Sequence, residues 1–272
     1  MSGDATFELI AGSPDSPIVL HVPHSSTVIP PWVRARIALD DTDLQSELQA
    51  MTDADTDRIA ELASRVCPVR PWIFVNRLSR LVIDPERFPD PDVEPMASPE
   101  IGMGAVYTRT SDLRVLRLAD TFHHNELLTR YFHPYAAAFS EAVDGRLRSL
   151  GRATIIDLHS FPEVELPYEA LHHGGADRPE LCLGTDDFHT PISLIDSARQ
   201  SFASMGRVGL DQPFAGTYVP LKHYRSDPRV TSIMIELRRD QYVGSTSSTQ
   251  AIADMLADFI NSVGSLTGAE TE

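Results

Sequence analysis

The sequence has 272 residues, of which 39 are acidic and 23 are basic, so its formal charge at pH 7 is −16. Hydrophobic residues make up 42% of the chain and charged residues 23%, as in ordinary globular proteins, which argues against disorder. The acidic balance also argues against nucleic acid or an anionic membrane as a partner, because binding to either depends on Lys and Arg.

The first elements in chain order are a strand and two helical segments. Residues 18–22 predict a short buried strand that Pro23 ends, and Pro30-Pro31 opens a short helix. Residues 43–66 carry apolar side chains at steps of three and four, which predicts a mostly helical segment.

The middle of the chain predicts two more strands, a long loop and a helical region. Residues 72–75 and 81–83 are strand-like, and five prolines between residues 85 and 99 exclude regular structure there. A loop of this length is typical of a lid, a binding loop or a disordered spacer. Residues 111–150 have a helical period, and Pro134 is expected to kink or divide that stretch.

The last part of the chain alternates strands with helices. We expect strands at residues 153–158, 181–183 and 231–237, and helices at 193–202 and 252–263. This alternation predicts an α/β sandwich with a mixed, largely parallel sheet and helices on both faces. No break in composition divides the chain, so we expect a single domain over residues 1–272.

The cysteines and the N-terminus bear on location. Cys67 and Cys182 lack the spacing of a disulfide framework or a metal site, and we expect both to be reduced. Residues 1–16 lack the basic and apolar regions of a secretory signal, and no apolar run approaches the ~20 residues of a membrane span. The expected location is the cytoplasm, without membrane attachment.

Two histidines follow predicted strands. His24 comes after the strand at 18–22, and His159 comes after the strand at 153–158. Ligands of open α/β sheets bind beyond the carboxyl ends of strands, and imidazole is a common zinc ligand. Asp157 is a candidate partner that orients a histidine ring. The alternative is that these side chains only cap loops.

A carboxylate ligand is expected among Asp53, Asp55 and Asp57. Asp53 and Asp57 are four residues apart, so a helix would place them on one face, with Asp55 pointing elsewhere. The alternative for this stretch is a solvated acidic surface.

Glu236 lies inside the apolar strand predicted at residues 231–237. Burial of a carboxylate raises its pKa toward the range of a general base at neutral pH. The alternative is a salt bridge to Arg238 or Arg239.

Three arginines, Arg77, Arg80 and Arg87, lie within eleven positions. The planar fork of arginine suits a carboxylate, and it also stabilises a developing oxyanion. The alternative is scattered surface arginines. The segment at residues 216–224 is a further plausible loop that carries polar groups.

These motifs together resemble the N-formylglutamate amidohydrolase (N-formylglutamate deformylase) family, distant relatives of zinc carboxypeptidases and aspartoacylases. The matching elements, in order, are Val-Pro-His-Ser at 22–25, Thr-Asp and Asp-Arg within 52–58, Ser-Arg-Leu-Val-Ile-Asp at 79–84, Pro-Tyr at 134–135, Asp-Leu-His-Ser at 157–160, Gly-Thr-Tyr and His-Tyr within 216–224, and Glu236. The resemblance implies a three-layer α/β/α fold like that of zinc carboxypeptidases.

The resemblance also implies one zinc ion with a specific ligand set. His24 and His159 would be ligands, and Asp53 would supply the carboxylate, with Asp57 as the alternative. The compact His-x-x-Glu ligand pair of carboxypeptidases is absent, so the carboxylate ligand must come from farther along the chain than Thr27.

By the same resemblance, Glu236 would be the base that activates water and Arg80 would stabilise the oxyanion. Arg87 would hold a substrate carboxylate. The remaining candidates for substrate binding are Asn76, Arg77, Tyr218 and His223.

One position departs from the family pattern. Asp-Leu-Asn-Arg is common in related proteins, whereas this chain has Asp84-Pro85-Glu86-Arg87. Glu86 removes an amide donor and adds a like charge beside any anionic substrate.

The expected function is a zinc-dependent hydrolase that cleaves an N-formyl or other N-acyl amino acid, such as N-formylglutamate, to formate and the free amino acid. The first alternative is a related zinc hydrolase that acts on another amide or a short peptide. The second is a protein of the same fold that binds an acidic metabolite without turning it over.

Overall fold

Within residues 5–175 and 177–266, which a computed structural model describes, seven strands form one sheet. The strands are β1 (Phe7–Ile10), β2 (Ile18–Val22), β3 (Trp72–Asn76), β4 (Ala153–Phe161), β5 (Leu181–Gly184), β6 (Val208–Leu210) and β7 (Val230–Arg238). Of the predicted domain, residues 1–4, 176 and 267–272 lie outside the described residues. β1 and β6 were not expected from the sequence.

The sheet has the order β1-β3-β2-β4-β7-β5-β6. The central strands β3, β2, β4 and β7 are parallel to one another, and β5 and β6 are parallel to each other. β1 runs antiparallel to β3, and β5 runs antiparallel to β7. The prediction of a mixed, largely parallel sheet is therefore confirmed.

Helices cover both faces of the sheet, as expected. They are α1 (Pro31–Arg34), α2 (Asp41–Met51), α3 (Thr56–Val66), α4 (Thr121–Leu127), α5 (His133–Leu150), α6 (Ala170–His173), α7 (Ile192–Ser201) and α8 (Thr246–Leu266). Apolar side chains of α3, α7 and α8 pack on one face, and those of α5 pack on the other. None of the helices in the described part of the chain is long and apolar enough to cross a membrane.

The α5 face of the sheet changes from apolar to polar along the strands. On β4, Ile155 packs against α5, and Asp157 and His159 follow at two-residue steps on the same face. The strand register places His21 of β2 beside Asp157, and Glu236 of β7 beside His159. The sheet therefore gathers four polar side chains at the carboxyl ends of its central strands.

The helical segment predicted at residues 43–66 is two helices with a break between them. α2 ends where Thr52 adopts an extended conformation, and Asp55 has a positive φ of 62° before α3 begins. Asp53 lies in this break, where its backbone N–H donates to the carbonyl of His24 (3.0 Å). The prediction that Asp53 and Asp57 share a helix face is therefore wrong, because only Asp57 is helical.

Two other predictions also need correction. Residues 81–83 are buried but form a turn, since burial without a neighbouring strand makes no sheet ladder. The helical region begins at Thr121 and not at residue 111, because Asp120 caps α4 by accepting two backbone hydrogen bonds. The division expected near Pro134 is present as a π-helical turn at Leu128–Phe132.

We predict that Leu256→Ala lowers the free energy of unfolding by about 2–5 kcal/mol. Leu256 of α8 is fully buried in the cluster that α3, α7 and the sheet share, so truncation leaves a cavity there. Urea unfolding measures the loss. The matched control is Asn261→Ala, an exposed position on the same helix, which should change stability by less than about 0.5 kcal/mol. Equal losses in the two variants would contradict the placement of α8.

Candidate active site

A cavity of about 750 Å³ opens at the carboxyl ends of β2, β4 and β7. Loop residues 85–88 and 94–96, loop residues 214–222 and part of α5 form its walls, so the proline-rich loop does border the site. The walls are mostly apolar and aromatic, with contributions from Phe132, Phe161, Phe214 and Tyr168. Asp53, Asp157, His159 and Glu236 lie near the strand ends, where they are buried.

Three buried donors meet at the strand ends. Nδ1 of His24 and Nδ1 of His159 are 3.3 Å apart. Oδ2 of Asp53 lies 3.1 Å from Nδ1 of His159 and 3.6 Å from Nδ1 of His24. Ligand atoms bonded to one tetrahedral zinc ion are separated by about 3.3 Å, given bonds of about 2.0–2.1 Å. The three donors therefore fit a metal ion, and Asp53, not Asp57, is the carboxylate placed among them.

The opposite nitrogens of both rings face carboxylates. Nε2 of His24 lies 3.0 Å from Oδ1 of Asp84, and Nε2 of His159 lies 3.1 Å from Oδ1 of Asp157. Oε1 of Glu86 is 3.3 Å from the same nitrogen of His159. A carboxylate behind each imidazole keeps the proton on Nε2 and leaves Nδ1 free to bind a metal.

The surrounding carboxylates are held in their ionised form. Burial by itself raises the pKa of Asp53, but hydrogen bonds and charges from His159 and His24 hold that pKa well below its usual range. Burial opposes ionisation of Asp84 in the same way, yet His24 and Arg80 bring its pKa well below the ordinary value. Ionised carboxylates this deeply buried need positive charge beside them, which His24, His159 and Arg80 provide here.

Arg80 is anchored beside the donors. Its Nη2 donates to Oδ2 of Asp84 (2.9 Å) and its Nε donates to the hydroxyl of Tyr107 (3.0 Å), which in turn donates to Asp84 (2.6 Å). Nε of Arg87 lies 3.8 Å from the same carboxylate and has no hydrogen-bond partner. Both arginines line the cavity, so their remaining N–H groups are available to an anion.

Glu236 also lines the cavity, and its Oε2 has no hydrogen-bond partner. Burial raises the pKa of Glu236 to about 8, with a further rise from the charge of Asp53 and against the lowering effect of His159. The alternative of a salt bridge is not seen, because Arg238 pairs with Glu180 and Arg239 donates to main-chain carbonyls at the end of α2.

The structure leaves several predicted site residues outside the cavity. Arg77 pairs with Glu8 (2.7 Å) and with Asp57 (3.4 Å), and about a third of its side chain is exposed. Asn76 is buried, and its amide Nδ2 donates to the carbonyl of Pro23 (2.9 Å). Neither side chain belongs to the described cavity lining, since Arg77 is held by Glu8 and Asp57 and Asn76 is held by the Pro23 carbonyl.

In the segment at residues 216–224, one predicted site residue lines the cavity and the other does not. Tyr218 lines the cavity, whereas Nε2 of His223 pairs with Asp144 of α5 (2.9 Å) and lies in a separate surface depression. Tyr218 therefore stays a candidate for substrate contact and His223 does not.

Several residues in or behind the site were not proposed from the sequence, among them Tyr107, Arg239 and His21. Tyr107 and Arg239 lie in segments without any motif. His21 was detectable, because strand alternation places it on the same face as Asp157 and it is three residues before His24.

Comparison with known proteins places the chain in a family. The sequence matches the model of the N-formylglutamate amidohydrolase family over residues 16–243. The protein therefore belongs to that family of hydrolases that act on amide bonds, as the motifs predicted. A comparison with curated proteins finds no match.

Two solved structures share the fold. One is N-formylglutamate amidohydrolase from Ralstonia eutropha JMP134, with a TM-score of 0.78, 21% identity and coverage of 96% of this chain and 98% of that chain. The other is a gene product from Agrobacterium tumefaciens, with a TM-score of 0.70, 18% identity and coverage of 96% of each chain. At these identities the similarity concerns the fold alone.

We predict that Glu236 makes the metal-free protein less stable as the pH rises. The pKa of this carboxyl is about 8 in the folded chain and near 4.5 in an ordinary glutamate, so the folded state binds the proton more tightly. Stability is therefore lost as the pH rises from about 4.5 through about 8, and Glu236→Gln removes this loss.

Thermal unfolding of chelator-treated protein at about pH 6, 7 and 8 measures the effect. The Tm of Glu236→Gln minus that of the wild type should increase by roughly 3–5 °C for each pH unit. One pH unit corresponds to about 1.4 kcal/mol of unfolding free energy. Parallel Tm curves for the two proteins would contradict the raised pKa.

Proposed function

We propose that the protein is a zinc-dependent amidohydrolase that releases formate from an N-formyl amino acid such as N-formylglutamate. The observation that carries this proposal is the convergence of His24 Nδ1, His159 Nδ1 and Asp53 Oδ2 at one point of the cavity. Family membership supports the reaction class, and two imidazoles with one carboxylate are a donor set typical of catalytic zinc.

A zinc ion bound by His24, Asp53 and His159 would supply Lewis-acid polarisation of the amide carbonyl and would lower the pKa of water to about 7. Asp84 hydrogen-bonds Nε2 of His24 and Asp157 lies 3.1 Å from Nε2 of His159, so the Nδ1 atoms of both rings would be left free to bind the ion. No protein nucleophile is required.

Glu236 is the candidate general base. It accepts a proton from the attacking water and returns it to the nitrogen of the leaving amine, so the glutamate is unchanged at the end of the cycle. The reaction forms a C–O bond to water oxygen and breaks the amide C–N bond, which yields formate and the free amino acid. Its exposure to the cavity and its unpartnered Oε2 support this role.

Arg80 and Arg87 are the candidate anion-binding groups. Asp84 and Tyr107 orient the Arg80 guanidinium, so it can donate to the oxygen that becomes negative when the amide carbon turns tetrahedral. Arg87 is farther from Asp84 and more exposed, which suits it to the substrate carboxylate.

Glu86 favours a second candidate function, hydrolysis of another amide or a short peptide by the same machinery. Its carboxylate lies beside His159 and lines the cavity, so it places negative charge near any anionic substrate. A panel of N-formyl, N-acyl and dipeptide substrates separates the two candidates.

A cytoplasmic location is part of the proposal. Cys67 and Cys182 are both unpaired and buried, and burial raises the pKa of both thiols. Such cysteines agree with a reducing compartment.

We predict that the purified protein binds one zinc ion and that His24→Ala abolishes this binding, because one of three donors is lost. Elemental analysis measures zinc, and formate release measures turnover. Glu236→Gln should retain zinc while losing about a hundredfold or more of kcat. The exposed His133→Ala, outside the cavity, serves as the control. Full activity of Glu236→Gln, or of a protein without zinc, would overturn the mechanism.

We predict that Arg87→Met raises KM for N-formylglutamate by about tenfold or more and changes kcat little. Loss of a contact that substrate and transition state share affects binding alone. Arg77→Met is the matched control, because Arg77 is on the same segment but outside the cavity. A large fall in kcat with an unchanged KM would place Arg87 at the reacting carbonyl instead.

A further inference from the structure

His21 is a fully buried histidine in the apolar layer between the sheet and α5. Its ring packs 4.4 Å from Phe139 and is stacked 4.9 Å from Tyr218, measured between ring centroids. A polar side chain at such a position costs free energy unless each of its polar atoms has a partner. Both ring nitrogens of His21 do have one.

The two partners of His21 lie on opposite sides of the ring. Nδ1 is 2.8 Å from Oδ1 of Asp157, and Nε2 is 2.6 Å from the hydroxyl of Tyr135 on α5. Because Asp157 and His21 are neighbours in the register of β4 and β2, the backbone of the sheet holds this pair together. Tyr135 extends the chain of contacts to the helix above.

The same oxygen of Asp157 also faces the candidate metal ligand His159. Oδ1 lies 3.1 Å from Nε2 of His159, and the other carboxylate oxygen accepts a hydrogen bond from the backbone N–H of Tyr218 (3.0 Å). Asp157 is thus held from three directions, by His21, by a main-chain amide and by its own strand.

A competing carboxylate stands on the other side of His159. Oε1 of Glu86 is 3.3 Å from Nε2 of His159 and 3.4 Å from Nδ1 of His21, and neither this oxygen nor Nε2 of His159 has a hydrogen-bond partner. When Nδ1 of His159 binds a metal, Nε2 carries one proton, and either Asp157 or Glu86 can accept it. The carboxylate that is held more rigidly decides the tilt of the ring.

We infer that His21 and Tyr135 are positioning residues for the metal centre: they hold the Asp157 carboxylate so that it, and not Glu86, orients the His159 ring. This inference rests on the proposed zinc site. Neither residue belongs to the cavity lining or to the donor set of His24, Asp53 and His159. Without them, Asp157 keeps only the contact to the main-chain amide, and the His159 ring can turn toward Glu86.

Four variants test the inference. Tyr135→Phe removes only the hydroxyl and retains the ring. His21→Asn keeps a donor close to the position of Nδ1 but loses the contact to Tyr135, whereas His21→Phe loses both contacts and preserves aromatic packing. The matched control is Tyr131→Phe, which removes a hydroxyl that accepts from Trp32 outside the cavity.

Zinc affinity is the primary measurement, made by competition with a chromophoric chelator. We expect His21→Phe to raise the zinc dissociation constant by about 10–100-fold, with smaller rises in Tyr135→Phe and His21→Asn. The visible absorption spectrum of the Co²⁺-substituted protein should change in His21→Phe. The KM for the best substrate should stay within about twofold while kcat falls.

The measured zinc affinities decide whether His21 and Tyr135 are positioning residues. The expected order of zinc affinities, with the partial rescue by His21→Asn, supports the inference. If the wild type binds zinc but His21→Phe and Tyr135→Phe match Tyr131→Phe in affinity and Co²⁺ spectrum, the inference is overturned and the proposed function stands. If His21→Phe does not fold, Tyr135→Phe alone decides. A wild type that binds no zinc would overturn the metal centre and this inference together.

Discussion

Charge compensation among buried carboxylates is the constraint on which the site depends. Asp53, Asp84, Asp157 and Glu86 lie within a few side chains of one another, and a buried charge without a partner costs several kcal/mol. In the structure, several partners of each carboxylate offset this cost. Asp84 serves a histidine, an arginine and a tyrosine, and Asp157 serves two histidines and a backbone amide. A cation at the remaining donors would complete the compensation.

The scaffold places these groups by two simple means. Parallel strands with a period of two bring Asp157, His159 and Glu236 to one face, where the register makes them neighbours. Loops at the strand ends supply the rest, and backbone contacts hold those loops in place, as where the Asp53 amide donates to the His24 carbonyl. Asn76 also holds a loop in place, because its amide Nδ2 donates to the Pro23 carbonyl. A residue expected to bind substrate thus supports the loop that carries His24.

Sequence reasoning was strongest where a local pattern reports directly on structure. Alternation and buried runs identified the central strands, and the position of His24 after one of them and of His159 near the end of another indicated one site, although β4 continues through His159 to Phe161. Sequence reasoning was weaker at residues 43–66, where the helical period of apolar residues continues across the break between α2 and α3. That spacing reports which side chains are buried, but it does not show that the backbone at Asp53 is not helical. The strand expected at residues 81–83 failed for the same reason: those side chains are buried in a turn.

By itself the sequence determined the fold class, the edge of the sheet that bears the site and the histidines that face it, since periodicity and strand ends are local properties. The tertiary structure alone placed Asp53, and not Asp57, beside the two histidines, because that placement depends on a helix break and on which side chain meets the histidines. It also separated Arg80 and Arg87 from Arg77, and it revealed His21 behind Asp157. Such choices depend on contacts between residues far apart in the chain, and spacing along a sequence does not record them.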